Sequence, residues 1–304
     1  MAGETSAVVG VQITDQTIRM ARLEFRDSPR LTDAAELRLP VGVVVNGRVQ
    51  DEHTIVQLLQ RVWQQMTFHW EPVAVALGSP DGILLQLDLA EESNETMSLL
   101  TELGPAALTE QVVTQLIPSH HNIPLVAVAL RSSVDRMTSL LDRAGFTVAS
   151  IDTTPSALAR TQPDFWQSSQ DLALRYRDTS GIWSVRVGST VHGTMRSADG
   201  DNGPPLFDAV GLGADHSFVA VSDLAAVEIS DRLAARFTPA QLAVAVGAAL
   251  GSAPDPLVPV DLRQALPLDR GRRNLAPAEP GETWVVELLV STGEHAPTRR
   301  RWRR

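Results

Sequence analysis

The 304-residue chain contains no cysteine, and all 26 of its basic residues are arginine, so it has no lysine either. Without cysteine there are no disulfides, thiolate metal sites or thiol nucleophiles, which suits a reducing compartment. Without lysine there is no P-loop lysine, Schiff-base lysine or Ser–Lys dyad. No apolar run approaches the roughly 18 residues of a membrane-spanning helix, and the start lacks a basic stretch followed by an apolar one. The expectation is therefore a cytoplasmic chain. A formal charge of −10 disfavours nucleic acid as a partner, because counterion release needs a basic surface. Apolar residues make up 43% of the chain, enough for a real core.

The hydrophobic pattern reads as mixed α/β. Residues 7–13 form a β-rich run ended by Thr14-Asp15, and 17–25 alternate at period two, so the pair reads as a hairpin. A third strand fits 33–39. Beyond Pro40 and a glycine-bearing turn region, a helix spans 51–66, with Ile55, Leu58, Leu59, Val62 and Met66 on one face. Strands follow at 73–77 and 83–89. The pattern then predicts helices at 94–103 and 106–117, a strand at 125–130, and a helix at 133–144 closed by Gly145. A strand at 147–151, a short helix at 155–160 and a second hairpin from 172–177 and 182–187 come next. Turn residues make 197–205 a loop. A short strand ending at Val210, a glycine turn, a helical region near 217–226 and an Ala-rich helix at 239–250 complete the folded part. The tail from Ser252 is rich in Pro, Arg and Gly, apart from apolar Trp284 to Val290.

Several blocks carry a resemblance, and they come in one order. Val9-Gly10-Val11-Gln12-Ile13-Thr14-Asp15-Gln16-Thr17 looks like a first phosphate hairpin, and Leu39-Pro40-Val41-Gly42 through Asn46-Gly47 to Asp51 follows it. Glu110 to Pro118 ends in Leu116-Ile117-Pro118. The strongest match runs from Ala127-Val128-Ala129-Leu130-Arg131 through Ala144-Gly145-Phe146 to Ile151-Asp152 and Ser156-Ala157-Leu158-Ala159-Arg160. Gly211-Leu212-Gly213-Ala214 and the helix from Leu242 to Leu250 close the series. Together these blocks, over residues 7–266, resemble the PilM family of type IV pilus assembly proteins, relatives of the cell-division protein FtsA.

The resemblance implies an α/β fold of the actin-like, ribonuclease H-like class, with a small α/β subdomain inserted in the first lobe and a reduced second lobe. On this chain the first lobe begins with 1–82, the insert is 83–147, the rest of the first lobe and the second lobe occupy 148–266, and 267–304 is a Pro/Arg-rich tail. The implied role is a cytoplasmic adaptor, peripheral at the inner membrane, in a type IV pilus or related secretion machine. Its implied partners are the cytoplasmic tail of a PilN-like single-span membrane protein and, beyond it, a secretion or pilus motor ATPase and a platform protein. Ile117, Pro118 and Arg131 are the candidate partner-binding residues, and a groove between the first lobe and the insert would suit an extended peptide.

The nucleotide loops depart from the family. Gln12 stands where the family has Asp, and Thr14 where it has Gly, with Asp15 and Thr17 completing the turn. Arg175 and Arg177 stand at the matching places of the second hairpin, and Gly211 and Gly213 keep the adenosine-side turn. Gln supplies no negative charge for Mg²⁺, and a Cβ at a close-approach glycine collides with phosphate. The expectation is a pseudo-ATPase that binds neither ATP nor Mg²⁺. The alternative is an actin-like ATPase or nucleotide-binding protein with an unusual site, since two arginines can hold an anion without a metal.

Other motifs have simpler readings. Asp199 to Gly203 lacks the later ligands of a calcium loop and reads as a surface loop. His53, His69 and His120-His121 read as solvated, so no metal is assigned. In Gly78-Ser79-Pro80-Asp81-Gly82, Pro80 takes the place a nucleophilic serine would need, which leaves a turn. Arg299 to Arg304, five arginines around Trp302, suits an anionic membrane surface as well as it suits a free terminus.

Overall fold

The computed structural model describes residues 6–66, 70–78, 81–86, 110–117, 125–162, 172–178, 181–187, 195–197, 206–211, 218–221, 223–224, 227–254, 256 and 259–267. The expected helix at 94–103, Pro118, Gly213, His69, His120-His121, the 199–203 loop, the Trp284 run and the terminal arginines lie outside these residues.

The first sheet grows from a hairpin of β1 (Ser6–Ile13) and β2 (Thr17–Phe25), extended on one side by β3 (Pro29–Arg38). A two-stranded ribbon, β4 (Val44–Val45) and β5 (Arg48–Val49), leads into helix α1 (Glu52–Gln65). Asp51 caps that helix by accepting the Thr54 N–H at 3.0 Å. The helix carries the chain across to β6 (Val73–Leu77), which lies parallel to β1, as a crossover must. β6 is buried along its whole length, the pattern of a parallel strand covered on both faces.

A second, smaller sheet branches off here. Its strands are β7 (Gly82–Gln86), β8 (Val112–Ile117) and β9 (Leu125–Leu130), all antiparallel. Segment 112–117 is thus a strand where the apolar spacing predicts a helix. Neighbours Val112 and Val113 point to opposite faces and are both buried, as a strand covered on both sides allows. Helix α2 (Arg131–Ala144) follows, closed by Gly145 at φ 87°. It packs on α1, where the rings of Trp63 and Phe146 lie 4.6 Å apart between centroids. The chain then re-enters the first sheet as β10 (Val148–Thr153), parallel to β6. Helix α3 (Thr154–Arg160) follows it directly, with Thr153 capping through the Ser156 N–H.

The third sheet is antiparallel throughout: β11 (Leu172–Asp178), β12 (Gly181–Val187), β13 (Met195–Ser197), β14 (Leu206–Gly211) and β15 (Phe218–Ala220), in the order β13-β12-β11-β14-β15. β15 replaces the start of the helix expected near 217–226; its Phe218-Val219 pair extends the edge at β14. The chain then returns to the first sheet. β16 (Glu228–Ile229) lies parallel to β3 at Arg30 and Leu31 and is the sixth strand of that sheet; β3 reaches it because it begins at Pro29, four residues before the expected start.

After a short helix α4 (Asp231–Ala234), helix α5 (Pro239–Leu250) forms the centre of the molecule. Thr238 and Gln241 cap it reciprocally, and Leu242 to Leu250 are all buried. A helix apolar all round is a core element, not a surface one. Two glycines permit its seating. A Cβ on Gly10 would stand 1.7 Å from the Ala245 carbonyl oxygen, and one on Gly247 would stand 1.9 Å from that of Ala157. β1 and α3 therefore touch α5 backbone to backbone. The last described strand, β17 (Leu266–Pro267), pairs with β8. Among the described residues no helix is long and apolar enough to cross a membrane.

Candidate functional site

The C-terminal ends of parallel strands β1, β6 and β10 lie together, the rim at which open α/β sheets bind ligands. The turn between β1 and β2 sits on that rim and is closed upon itself. Thr14 Oγ1 accepts the N–H of Thr17 at 3.0 Å and of Gln16 at 3.3 Å, and lies 3.0 Å from Thr17 Oγ1. Thr14 is buried. In a phosphate-binding turn such N–H groups face the anion; here a hydroxyl inside the turn already holds them.

Asp15 gives the turn a second, outward function. Its carboxylate accepts the N–H of Asn46 at 2.9 Å and of Gly47 at 2.7 Å, and so fixes the β4–β5 ribbon against the hairpin. Asn46 and Gly47 both have positive φ, 52° and 75°, which aims their N–H groups at one acceptor. Next to them, Arg48 Nε donates to Asp81 Oδ1 at 3.2 Å. Burial pushes the Asp81 carboxyl above its ordinary value, against the pull of Arg48, Ser133 and Arg136.

Deeper in, the two hairpins meet. Gln12 on β1 and Tyr176 on β11, 164 residues apart, are both buried, and Gln12 Nε2 donates to the Tyr176 hydroxyl at 3.1 Å. Arg19 Nη1 donates to Gln12 Oε1 at 3.3 Å, and Arg19 Nε to Glu36 at 2.6 Å. The result is a chain of polar groups, Glu36–Arg19–Gln12–Tyr176, running from the edge of β3 into the contact between the sheets. A tyrosine ring thus fills space beside the residue at which the family resemblance would place a catalytic acid.

Arg175 and Arg177 flank Tyr176 on β11, both half-buried on the face opposite Leu174 and Tyr176. Gly211 ends β14, paired with Leu172. Of the partner-binding candidates, Ile117 ends β8, and Arg131 begins α2, its Nη2 donating to the Ala265 carbonyl at 2.9 Å. The structure brings Gln12, Thr14, Asp15 and Thr17 into one hairpin and places Arg175 and Arg177 on the facing one.

Sequence reasoning missed Tyr176, Arg19 and Glu36. One signal was available: Tyr176 is the only tyrosine of the chain, and the alternation Leu174, Arg175, Tyr176, Arg177 points it inward. Asp152 and Arg160 also escaped notice as a pair. They are buried together: Arg160 Nη1 donates to Asp152 and to the Gly247 carbonyl, while Ser156 and the Thr153 N–H donate to the same carboxylate. Burial pushes the Asp152 carboxyl up, and those donors oppose it. Near the C-terminal end of β10, this acid joins β10, α3 and α5. Among the described residues no group of three or more His or carboxylate side chains is placed to hold a metal ion.

No protein-family model and no curated protein sequence matches the chain. Solved structures do. A PilM–PilN type IV pilus biogenesis complex matches at TM-score 0.50 and 15% identity; the match covers 63% of this chain and 62% of that one, so this chain spans less than two thirds of it. The cytoplasmic domain of EpsL, an inner membrane component of the type II secretion system of Vibrio cholerae, matches at TM-score 0.41 and 12% identity, over 63% of this chain and 71% of that one. A Bacteroides thetaiotaomicron protein with an actin-like ATPase fold matches at 0.40 and 9%, over 63% and 70%. The fold of this chain is actin-like.

Proposed function

We propose that this chain is a non-catalytic adaptor on an actin-like scaffold, serving a type IV pilus or related secretion machine by binding the cytoplasmic tail of an inner-membrane partner. The observation that carries the first half is the Gln12–Tyr176 contact beneath a turn whose N–H groups Thr14 already holds. An actin-like hydrolase site needs turn N–H groups free to meet phosphate and a carboxylate near them to organise Mg²⁺ and water. Here position 12 carries an amide, and the nearby Asp15 carboxylate is turned to the ribbon N–H groups of Asn46 and Gly47. The second half is supported by the kind of assembly named for the PilM–PilN complex that shares this fold. In this reading the contact between the hairpins is a structural joint, and recognition occurs elsewhere on the scaffold.

The test is a thermal melt of the full chain in parallel samples, one with saturating Mg-ATP and one with the cytoplasmic peptide of a PilN-like single-span membrane protein. Mg-ATP is expected to leave the midpoint unmoved. The peptide, at a hundred times its dissociation constant, adds about 2.7 kcal/mol and raises the midpoint by a few degrees. A midpoint raised by Mg-ATP and unmoved by the peptide would overturn the proposal and return the chain to the nucleotide-binding class.

A further inference from the structure

The end of the first sheet opposite the rim carries an exposed aromatic ring. Trp70 is 93% exposed, and among the described residues the other exposed large apolar side chains, Val41, Val45 and Leu266, are aliphatic. Its φ is 65°, in the left-handed region that bulky side chains avoid. The residues after it are firmly held. Arg22 Nε donates to the Glu71 carboxylate at 2.8 Å, the Val9 N–H donates to the Pro72 carbonyl at 3.0 Å, and Val73 begins the buried strand β6. Backbone strain of this kind persists where its surroundings enforce it, and it gathers at functional positions. Here it presents an indole to water, against the hydrophobic effect.

The same end of the sheet has a hollow. Val227, Ile229, Phe237, Pro239 and Leu242 line a cavity of about 360 Å³, built where β16 and α4 meet the start of α5. All but Leu242 are half-buried. The volume is near the lower end of the roughly 300–1,000 Å³ in which proteins hold small ligands, which suits one large side chain. Register puts knob and hollow at one level. Glu228 lies beside Arg30, Arg30 pairs with Glu24, and Glu24 with Ala7, close to the start of β1. Val73 lies beside Val9, and Trp70, three residues earlier, precedes the sheet at this end. β1, β2 and β3 separate β6 from β16, which makes four strand spacings, or about 19 Å. Between them the β2–β3 turn exposes Arg26 and Asp27, adjacent charges of opposite sign.

We propose that this end of the molecule is a two-fold interface between two copies of the chain, in which Trp70 of each copy fills the hollow beside β16 of the other. An axis midway between knob and hollow, and perpendicular to the line joining them, exchanges the two, so both contacts form together and the pair closes. The β2–β3 turn lies near that axis, where Arg26 of one copy meets Asp27 of the second. Such a pair at the rim fixes orientation more than it adds affinity. Tryptophan seated in a desolvated pocket is the commonest kind of interface anchor. A second copy is favoured over a foreign chain because one chain carries both complementary halves, at one end and at one level. The proposal does not depend on the adaptor reading.

The experiment is sedimentation equilibrium of the full chain from micromolar to several hundred micromolar, with circular dichroism of every variant as the check on folding. The wild-type chain is expected to pass reversibly from one copy to two. Trp70→Ala, at an exposed position, is expected to keep its fold and raise the dissociation constant about thirtyfold or more. Val227→Arg, which puts a charge in the hollow, is expected to do the same. An equal mixture of the two variants pairs an intact hollow with an intact indole, regains one of the two contacts, and should associate more tightly than either variant alone. The proposal is overturned if the wild-type chain stays single throughout, if Trp70→Ala pairs as well as the wild type, or if the species grow past two copies. It is also overturned if both variants are folded and their mixture is no tighter than either. Should Val227→Arg lose its fold, the comparison of wild type with Trp70→Ala decides alone.

Discussion

Two hairpins face each other in this molecule, and they keep different company. The β1–β2 hairpin lies at the centre of a mixed sheet whose next strands, β6 and β10, run parallel to β1. Parallel neighbours demand crossovers, and α1 and α2 supply them. Both faces of β1 are then covered, so Val8, Val9, Val11 and Ile13 are all buried, and Gly10 lets α5 come to backbone contact. The β11–β12 hairpin lies inside a sheet of antiparallel strands only, and along β11 burial alternates: Leu174 and Tyr176 inward, Arg175 and Arg177 half-buried. The first hairpin is held by its own sheet and helices. The second is tied to the first by what one face of it presents, and Tyr176 is the tie that reaches the polar chain at Gln12.

That asymmetry assigns the largest effect to the first hairpin. Gly10→Ala puts a Cβ against the Ala245 carbonyl, where only backbone can yield, and is expected to cost about 3 kcal/mol or more. Arg175→Ala, on the half-buried face of β11, is expected to cost far less. Urea unfolding of the two variants compares them directly, and equal losses would erase the contrast between the sheets.

A finer cut goes through the joint itself. Tyr176→Phe removes a buried hydroxyl partner of Gln12 while keeping the ring, and is expected to cost about 1 kcal/mol. In a double-mutant cycle with Gln12→Leu the two changes should be non-additive, with a coupling of about 0.5 kcal/mol or more. Strict additivity would mean that the hairpins only touch and do not support each other.

The smallest effect is one of pH, and it tests the segment that closes the first sheet's edge. Burial pushes the Asp261 carboxyl up, but the Arg263 side chain and the Ile151 N–H outweigh it and hold it below the ordinary aspartate value. A depressed folded-state pKa stabilises the fold above the unfolded-state value, and that contribution is lost as pH falls through the folded one. Stability should therefore be unaffected by this group from neutral pH down to about 5, then fall below about 4. Asp261→Asn should flatten that part of the profile. A profile unchanged by the substitution would remove Asp261 from the contacts that matter at the edge.

Much of this was legible in the sequence because it is local. Alternation at period two marks β2, one-sided apolar spacing marks α1, and Gly145 marks the end of α2, each within a window of a few residues. The departures at Gln12 and Thr14 were legible as well, since a missing charge and an added Cβ are properties of residues and not of packing. Tertiary structure decided the rest. Val112 to Ile117 became a strand because β9 offers a partner and Val112 and Val113 find cover on opposite faces, which outweighs any local preference. Thr14 turned from an obstacle into the group that seals the turn, and Tyr176 became the partner of Gln12 across 164 residues of chain. The tail beyond Ser252 read as Pro- and Arg-rich, and its first part proved to hold two sheet edges together. Periodicity reports which face of an element is apolar; which edge it pairs with, and which distant side chain it meets, depends on free energies gained only when remote segments come together.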